Sequence, residues 1–242
     1  MTASLSRLQA YYQEATPEKL LRAMIHTEFK GKIAALTSFG ADSAILLSLI
    51  AEIDPDTPVF FLDTQKHFPE TLSYACKLKK FLGLRNVVWL QPNEEMLNRI
   101  DTDGNLWKHQ PNRCCWLRKV EPLDRAIAEK GIEALITGRK RFQTVQRAAM
   151  EPIELDEKGI FRINPLAAWT RAQMDFYSIA RQLPTHPLVE HGYKSIGCAP
   201  CTHPVRDGQD ERAGRWAHTF DGDDKKTECG IHVPTEAMSW SV

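Results

Sequence analysis

Two apolar-rich runs, KIAALTSF at 32–39 and TPVFFLDT at 57–64, break the mixed pattern of the chain. Short runs of this kind, bounded by polar and turn-forming residues, predict buried strands. Between them DSAILLSLIAEI repeats its apolar positions at helical spacing from Asp42 onward. FPETLSYACKLKKFLGL predicts a second helix, with Pro69 in its first turn and Gly83 at its C-terminal end. NVVWL at 86–90 predicts a third strand, followed by a helix through CCWLRKV. Pro122 would cost a helix interior one hydrogen bond, so PLDRAIAEKG is expected to open a new segment leading to a strand in EALITG, 133–138. This alternation predicts an α/β fold, a doubly wound and mainly parallel sheet covered on both faces. Beyond about residue 150 the rhythm changes: EPIELDEKGIFRINPL predicts a hairpin around Lys158 and Gly159, and RAQMDFYSIARQL a helix. From Gly197 onward Gly, Pro and charge dominate, which predicts a tail or lid rather than core. The expected organisation is an N-terminal helical segment (1–29), an α/β domain (30–201) and a C-terminal tail (202–242).

Composition narrows the class. The 242 residues are 43% hydrophobic and 26% charged, as in ordinary globular chains. Lys+Arg and Asp+Glu are 31 each, so the net charge is zero. That argues against broad binding of nucleic acid or of anionic membranes, both of which reward a positive excess. The first residues lack the basic start and apolar stretch of a secretory signal, and SAILLSLIAEI is too short to span a bilayer. A cytoplasmic protein with no membrane partner is expected. In that compartment six cysteines point to metal binding or catalysis before disulfides.

The chemistry-bearing residues cluster in three places. TSFGADSAILL joins the first strand to the first helix, where Ser38, Gly40 and Ser43 can turn tightly and offer hydroxyls to an anion. A simple capped turn, with Asp42 or Ser43 as the cap, satisfies the same residues. No Gly-Lys-Ser/Thr follows, so this is not a Walker A loop. Four cysteines form two tight pairs, Cys114 with Cys115 and Cys198 with Cys201. Such a set suits a tetrahedral zinc or an iron–sulfur cluster, and spacing leaves that choice open. Cys76, in mid-helix, is expected to be a small core hydrophobe. Cys229, in DDKKTECGIH, has neither an apolar face nor a nearby cysteine to join.

A resemblance ties these places together. TSFGADS resembles the S-G-G-x-D-S loop of the adenine nucleotide alpha-hydrolase-like (ATP-pyrophosphatase) superfamily, with Phe39 where glycine is usual. FLDTQKHFPETL strengthens it and implies that Leu62, Asp63 and Thr64 lie near a nucleoside. CCWLRKVEPL, ITGRKRFQ, INPLAAWT, GYKSIGCAPCTHPV, ERAGRW and KKTECGIH follow in the order typical of bacterial and plant-type adenylyl-sulfate (APS) reductases. That resemblance runs from about residue 30 to 233. It implies a [4Fe–4S] cluster on Cys114, Cys115, Cys198 and Cys201, and Cys229 as the nucleophile that takes the sulfo group from adenosine 5′-phosphosulfate. Reduced thioredoxin (or glutaredoxin) would then release sulfite, in assimilatory sulfate reduction and cysteine biosynthesis. His232 is implied as an active-site member. Lys119, four residues after Cys115, would share its helix face and meet cluster and substrate together. Arg139, Arg147, Arg212 and Arg215 are the other candidates for the anionic groups, by motif position.

Other side chains are expected to have plainer parts. Lys140, Arg171 and Arg181 are read as solvated surface. Glu228 opposes thiolate formation at Cys229, so Lys225, Lys226 or His232 is expected to compensate. His203 and the stretch after Trp216 depart from the family pattern. Rival readings are a PAPS or dual-substrate reductase, an ATP-using tRNA sulfurtransferase on the same fold, and a zinc-stabilised binding module. Neutral charge and Phe39 speak against the tRNA enzyme, and the binding module leaves Cys229 unexplained. Sequence leaves the oligomeric state open.

Overall fold

The computed structural model describes residues 4–217, 228 and 230–232. Helices α1 (Leu5–Tyr12) and α2 (Pro17–Ala23) precede β1 (Ile33–Thr37), α3 (Ser43–Ile53), β2 (Val59–Leu62), α4 (Pro69–Leu82) and β3 (Val87–Leu90). Then come α5 (Glu94–Ile100), α6 (Leu106–His109), α7 (Pro111–Cys115), α8 (Glu121–Lys130) and β4 (Ala134–Ile136). The hairpin β5 (Ile153–Leu155) and β6 (Phe161–Ile163) and the helix α9 (Arg171–Ala180) follow. One six-stranded sheet runs β3-β2-β1-β4-β6-β5, parallel except for β5. The chain moves outward from β1 to β3, then crosses back to β4 on the other side of β1. Strand order therefore reverses between β1 and β4, the place where such sheets open a crevice at their carboxyl ends.

Local sequence explains most elements. β1, β2 and β4 are buried on both faces, hence their continuous apolar runs. Pro69 stands in the first turn of α4 and Gly83 ends it in a left-handed cap. Thr170 and Gln173 close a reciprocal capping box on α9. One face of the sheet packs on Leu46, Leu49, Ile50, Tyr74 and Leu78 from α3 and α4, joined by Leu8, Leu20, Leu21 and Met24 from the N-terminal helices. The other face packs on Leu123 and Ala126 of α8. Helix α1 also lies along the outer strand β5, where the Gln9 amide donates to the Ile153 carbonyl at 2.9 Å.

Three expectations are corrected here. Pro122 does not open a new segment: backbone angles stay helical at Trp116, Val120 and Glu121 between α7 and α8. A π turn over Trp116–Val120 shifts the hydrogen-bond register just before the proline, which has no N–H to lose from it. Cys76 is exposed, not core, because it lies on the solvent side of α4, away from Tyr74, Ala75 and Leu78. The stretch after Gly197 does not stand off as a tail as far as Trp216. Cys198, Cys201, Thr202, Val205, Arg215 and Trp216 are buried, and Trp216 is 1% exposed. No helix among the described residues is long and apolar enough to cross a membrane.

His186 ties the segment after α9 to α4 and makes the fold acid-sensitive. Its Nδ1 accepts the Leu188 N–H at 3.2 Å, so its Nε2–H donates to Thr71 Oγ1 at 3.0 Å. Burial pushes its pKa down to about 4. The unfolded chain keeps an ordinary value near ~6.5. The native state thus binds fewer protons, so stability is constant above about pH 6.5 and falls as pH drops toward about 4. Between pH 7.5 and 5 the expected loss is roughly 2 kcal/mol, read from urea unfolding. His186→Gln should flatten that slope whatever its cost at pH 7.5; an unchanged slope assigns the acid sensitivity elsewhere.

Candidate functional site

A cleft of about 210 Å³ opens at the crossover, lined by residues that follow β1, β2 and β4. Ser38, Gly40 and Ser43 line it from the first loop, Leu62 and Thr64 from the second, and Thr137, Gly138 and Arg139 from the third. Gly40 allows a close approach: a Cβ there would meet the Ile196 carbonyl at 3.1 Å and Ser38 Oγ at 3.2 Å, tighter than most side chains are packed. Phe39 takes a left-handed φ of 46°, where a side chain costs roughly 1–2 kcal/mol. Its ring is fully buried edge-on to Phe61 at 5.1 Å, and burial of a Phe contributes about 1.5–3 kcal/mol. Burial of the ring therefore offsets the strain of the backbone. Asp63 is not part of the lining. Its carboxylate accepts from the Gln91 amide (2.9 Å) and the Gln65 N–H (3.1 Å), fixing the loop instead.

Beneath the first loop lies a charge network that sequence reading missed. Asp42 stands at the N-cap position of α3 but makes no side-chain capping bond; its carboxylate meets Lys140 Nζ at 2.6 Å and the Arg171 guanidinium at 3.0 and 3.1 Å. Arg171 reaches on to Glu211 at 2.8 and 2.9 Å. Lys140 is 2% exposed, so neither it nor Arg171 is the idle surface cation expected. Burial alone would raise the Asp42 carboxyl, but Lys140 and Arg171 hold it down at about 2. Burial pushes the Lys140 ammonium down against the pull of Asp42. Arg181 is exposed and pairs with Glu52, as a surface residue should.

The cleft is ringed by cations. Arg139, Arg147, Arg212, Arg215 and Lys119 all line it. Arg139 is held by Glu154 (2.8 Å), Asn164 (3.1 Å) and Thr137 (3.2 Å), and burial lowers its pKa. Arg215 lies 4.5 Å over the Trp216 ring, with Arg212 5.6 Å from the same ring. Gly197 makes room for this, because a Cβ would come within 2.3 Å of the Arg215 guanidinium. Arg147 donates from Nε and Nη2 to the Glu228 carboxylate, both at 2.7 Å. Burial would raise the Glu228 carboxyl, but Arg147, aided by Arg212 and Arg139, keeps it below the usual range. Its charge is thus met by arginines. Lys225, Lys226 and Cys229 itself lie outside the described residues.

The four paired cysteines converge. Cys114, Cys115, Cys198 and Cys201 line one small cavity together with Lys66, Arg118, Lys119 and Trp216. Burial pushes the Cys114 thiol up to about 11, with Cys198 and Cys201 adding to the rise and Arg118 and Lys119 opposing it. Arg118 clamps this region by a buried pair with Asp101 (2.5 Å) and a bond to the Thr64 carbonyl (2.9 Å). Among the described residues no group of three or more His, Cys, Asp or Glu is drawn together around a single ion. Four thiols facing one small cavity are the donor type by which iron–sulfur clusters are held. Lys119 and Cys198 line both this cavity and the cleft.

Two features complete the site. His67 lines the cleft with its Nε2 2.8 Å from the Leu62 carbonyl, and burial lowers its pKa. Nothing in the chain's spacing marked it, since it acts through a loop fold. The turn Gly230–His232 packs on the π turn Trp116–Val120 and brings Ile231 into the cleft lining.

Known proteins resemble this chain in sequence and in fold. Adenosine 5′-phosphosulfate reductase of Mesorhizobium japonicum is 48% identical over 96% of this chain and 89% of its own length. Phosphoadenosine 5′-phosphosulfate reductase of Gloeobacter violaceus is 38% identical over 95% and 94%. The crystal structure of phosphoadenylyl-sulfate (PAPS) reductase from Candida auris, a phosphate complex, superposes with a TM-score of 0.70 at 28% identity, covering 85% of this chain and 99% of that one. Candida glabrata FMN adenylyltransferase, at 14% identity and a TM-score of 0.55 over 98% and 85%, shares the fold alone, that of the adenine nucleotide alpha-hydrolase-like proteins. The phosphoadenosine phosphosulfate reductase domain model matches residues 32–204, and together with the identity to these relatives it places this chain in the phosphoadenosine phosphosulfate reductase family.

Proposed function

We propose that this chain reduces adenosine 5′-phosphosulfate to sulfite and AMP, with Cys229 as nucleophile. The observation that carries the reading is the junction at Lys119 and Cys198, which line both a cation-ringed nucleotide cleft and the four-thiol cavity. The Cys229 thiolate attacks the sulfate sulfur, the bond from sulfur to the AMP phosphate oxygen breaks, and AMP leaves with that electron pair. Arg139, Arg212, Arg215 and Lys119 line the cleft where charge grows on the leaving phosphate, and fixed cations there favour the transition state. A thiol of reduced thioredoxin then attacks the Cys229 sulfur and expels sulfite, and its second thiol frees Cys229. Two thiols become one disulfide, which supplies the two electrons that take sulfate to sulfite.

Cys114, Cys115, Cys198 and Cys201 are the residues that would hold a [4Fe–4S] cluster. Bound there, it supplies a structural tie and a local field beside the anionic substrate; the electron balance closes through thiols alone. The residues around it have their own parts: Thr64 Oγ1 lies 3.2 Å from Cys198 Sγ, and Arg118 and Lys119 bring positive charge to the thiolates. The substrate assignment follows the relatives named for adenosine 5′-phosphosulfate, the nucleotide without the additional phosphate of PAPS, at 48%, 46% and 39% identity. A relative named for PAPS at 38% identity supports PAPS as the second reading.

Replacing Cys114, Cys115, Cys198 or Cys201 by Ser should lower iron content and activity together, whereas Cys76→Ser, on the solvent face of α4, should lower neither. Iron and sulfide analysis of anaerobically purified protein reads this, and full iron in Cys115→Ser would remove that residue from the ligand set. APS without reductant should give one stoichiometric burst of AMP and an added sulfo group on the TECGIH peptide; free sulfite should wait for a reducing thiol. An adduct on another cysteine would end the assignment of Cys229. With thioredoxin present, kcat/KM should clearly favour APS over PAPS, and equal turnover would make the chain a dual-substrate enzyme.

A further inference from the structure

We propose that Arg147 is not a substrate ligand but a positioning residue, which holds Glu228 and through it governs the reactivity of the next residue in the chain, Cys229. The inference rests on the reading of Cys229 as nucleophile. Motif position alone suggested that Arg147 receives the anionic substrate, and the geometry assigns it otherwise. Its Nε and Nη2 form a two-pronged contact with the Glu228 carboxylate, each at 2.7 Å, and its Nη1 donates to Gln143 Oε1 at 2.5 Å. All three guanidinium nitrogens are therefore engaged by the protein itself. The edge occupied by Glu228 is the one an arginine offers to a sulfate or phosphate.

The carboxylate is as fully committed as the arginine. Glu228 also accepts from Thr144 Oγ1 at 3.4 Å and lies 3.5 Å from Arg212 Nη2. Its side chain is 11% exposed and that of Arg147 9%, so water does little to weaken the pair. The Val145–Arg147 turn and the Gln143 contact fix the arginine from behind. On the other side of Cys229, Ile231 lines the cleft and packs against the apolar cluster that contains Leu36, Leu62 and Leu90. Glu228 is thus held by an ion pair and Ile231 by apolar contact, one on each side of residue 229 in the sequence. Arg147 and Glu228 are positioning residues that act through Cys229.

Positioning and substrate binding give opposite signs. If the pair is an anchor, Arg147→Ala and Glu228→Gln should each speed alkylation of Cys229 by iodoacetamide, mapped on the TECGIH peptide, by roughly ten-fold. Each should slow the sulfo-transfer burst by a similar factor while the Kd for AMP stays within about two-fold, and the double variant should be no worse than either single one. Arg147→Lys, which keeps charge but loses the fork, should fall between. If Arg147 instead binds substrate and Glu228 competes for it, Arg147→Ala weakens AMP binding and Glu228→Gln tightens it, and the proposal is overturned. Additive losses in the double variant overturn it as well. Alkylation and AMP binding need no turnover, so they judge the anchor even if the wild-type protein forms no sulfo adduct.

Discussion

Like charges crowded into a partly dry cleft repel, and the rest of this architecture depends on how that repulsion is met. Lys140, Arg171, Arg139, Arg147 and Arg118 each have a carboxylate within 3.1 Å, supplied by Asp42, Glu154, Glu228 and Asp101. Asp42 and Glu228 come from distant parts of the chain, and Asp101 and Glu154 from separate elements 17 and 15 positions from their partners. Each pair therefore also ties two segments together, and removing one partner would strand a buried charge at considerable cost. Arg215 is handled differently, by an aromatic face, with its Nη1 3.5 Å from Ser195 Oγ. What remains directed into the cleft is positive character whose geometry is already set before any anion arrives.

Two levels of organisation meet at the helical stretch 111–130. Its first turn carries Cys114 and Cys115, its π turn carries Arg118 and Lys119, and Leu123 and Ala126 farther on pack under the sheet. A single continuous element thereby fixes thiols, cations and core in one register. The wider turn before Pro122 lets the chain keep its direction despite the missing donor.

Sequence made the sheet legible because β1, β2 and β4 are buried on both faces and leave continuous apolar runs. The loop after β1, which lines the cleft, and the paired cysteines, which share one cavity, were legible as well, since both are marked by particular residue types at short spacing. Long-range electrostatics was not. Lys140 and Arg171 looked like surface residues because their partner, Asp42, lies about a hundred positions or more away, and no local pattern announces such a pairing. Asp63 shares its motif with Leu62 and Thr64, which line the cleft, yet its own carboxylate bonds Gln91 and Gln65 and fixes the loop. Cys76 was misplaced by ignoring which side of α4 it occupies. The polar stretch to Trp216 hid a buried unit, since thiols, a guanidinium and one tryptophan do there what aliphatic side chains do elsewhere.

The contact between α1 and β5 has a consequence for handling the protein. A terminal strand offers unpaired backbone groups to any neighbour with a free edge, and proteins survive by covering or charging such edges. Here the cover is helix α1, with Gln9 meeting the Ile153 carbonyl at 2.9 Å. Stripping α1 away would leave the cleft's own residues in place while exposing that edge. The defect would then show as concentration-dependent self-association in light scattering, well before it showed as a weakened grip on nucleotide.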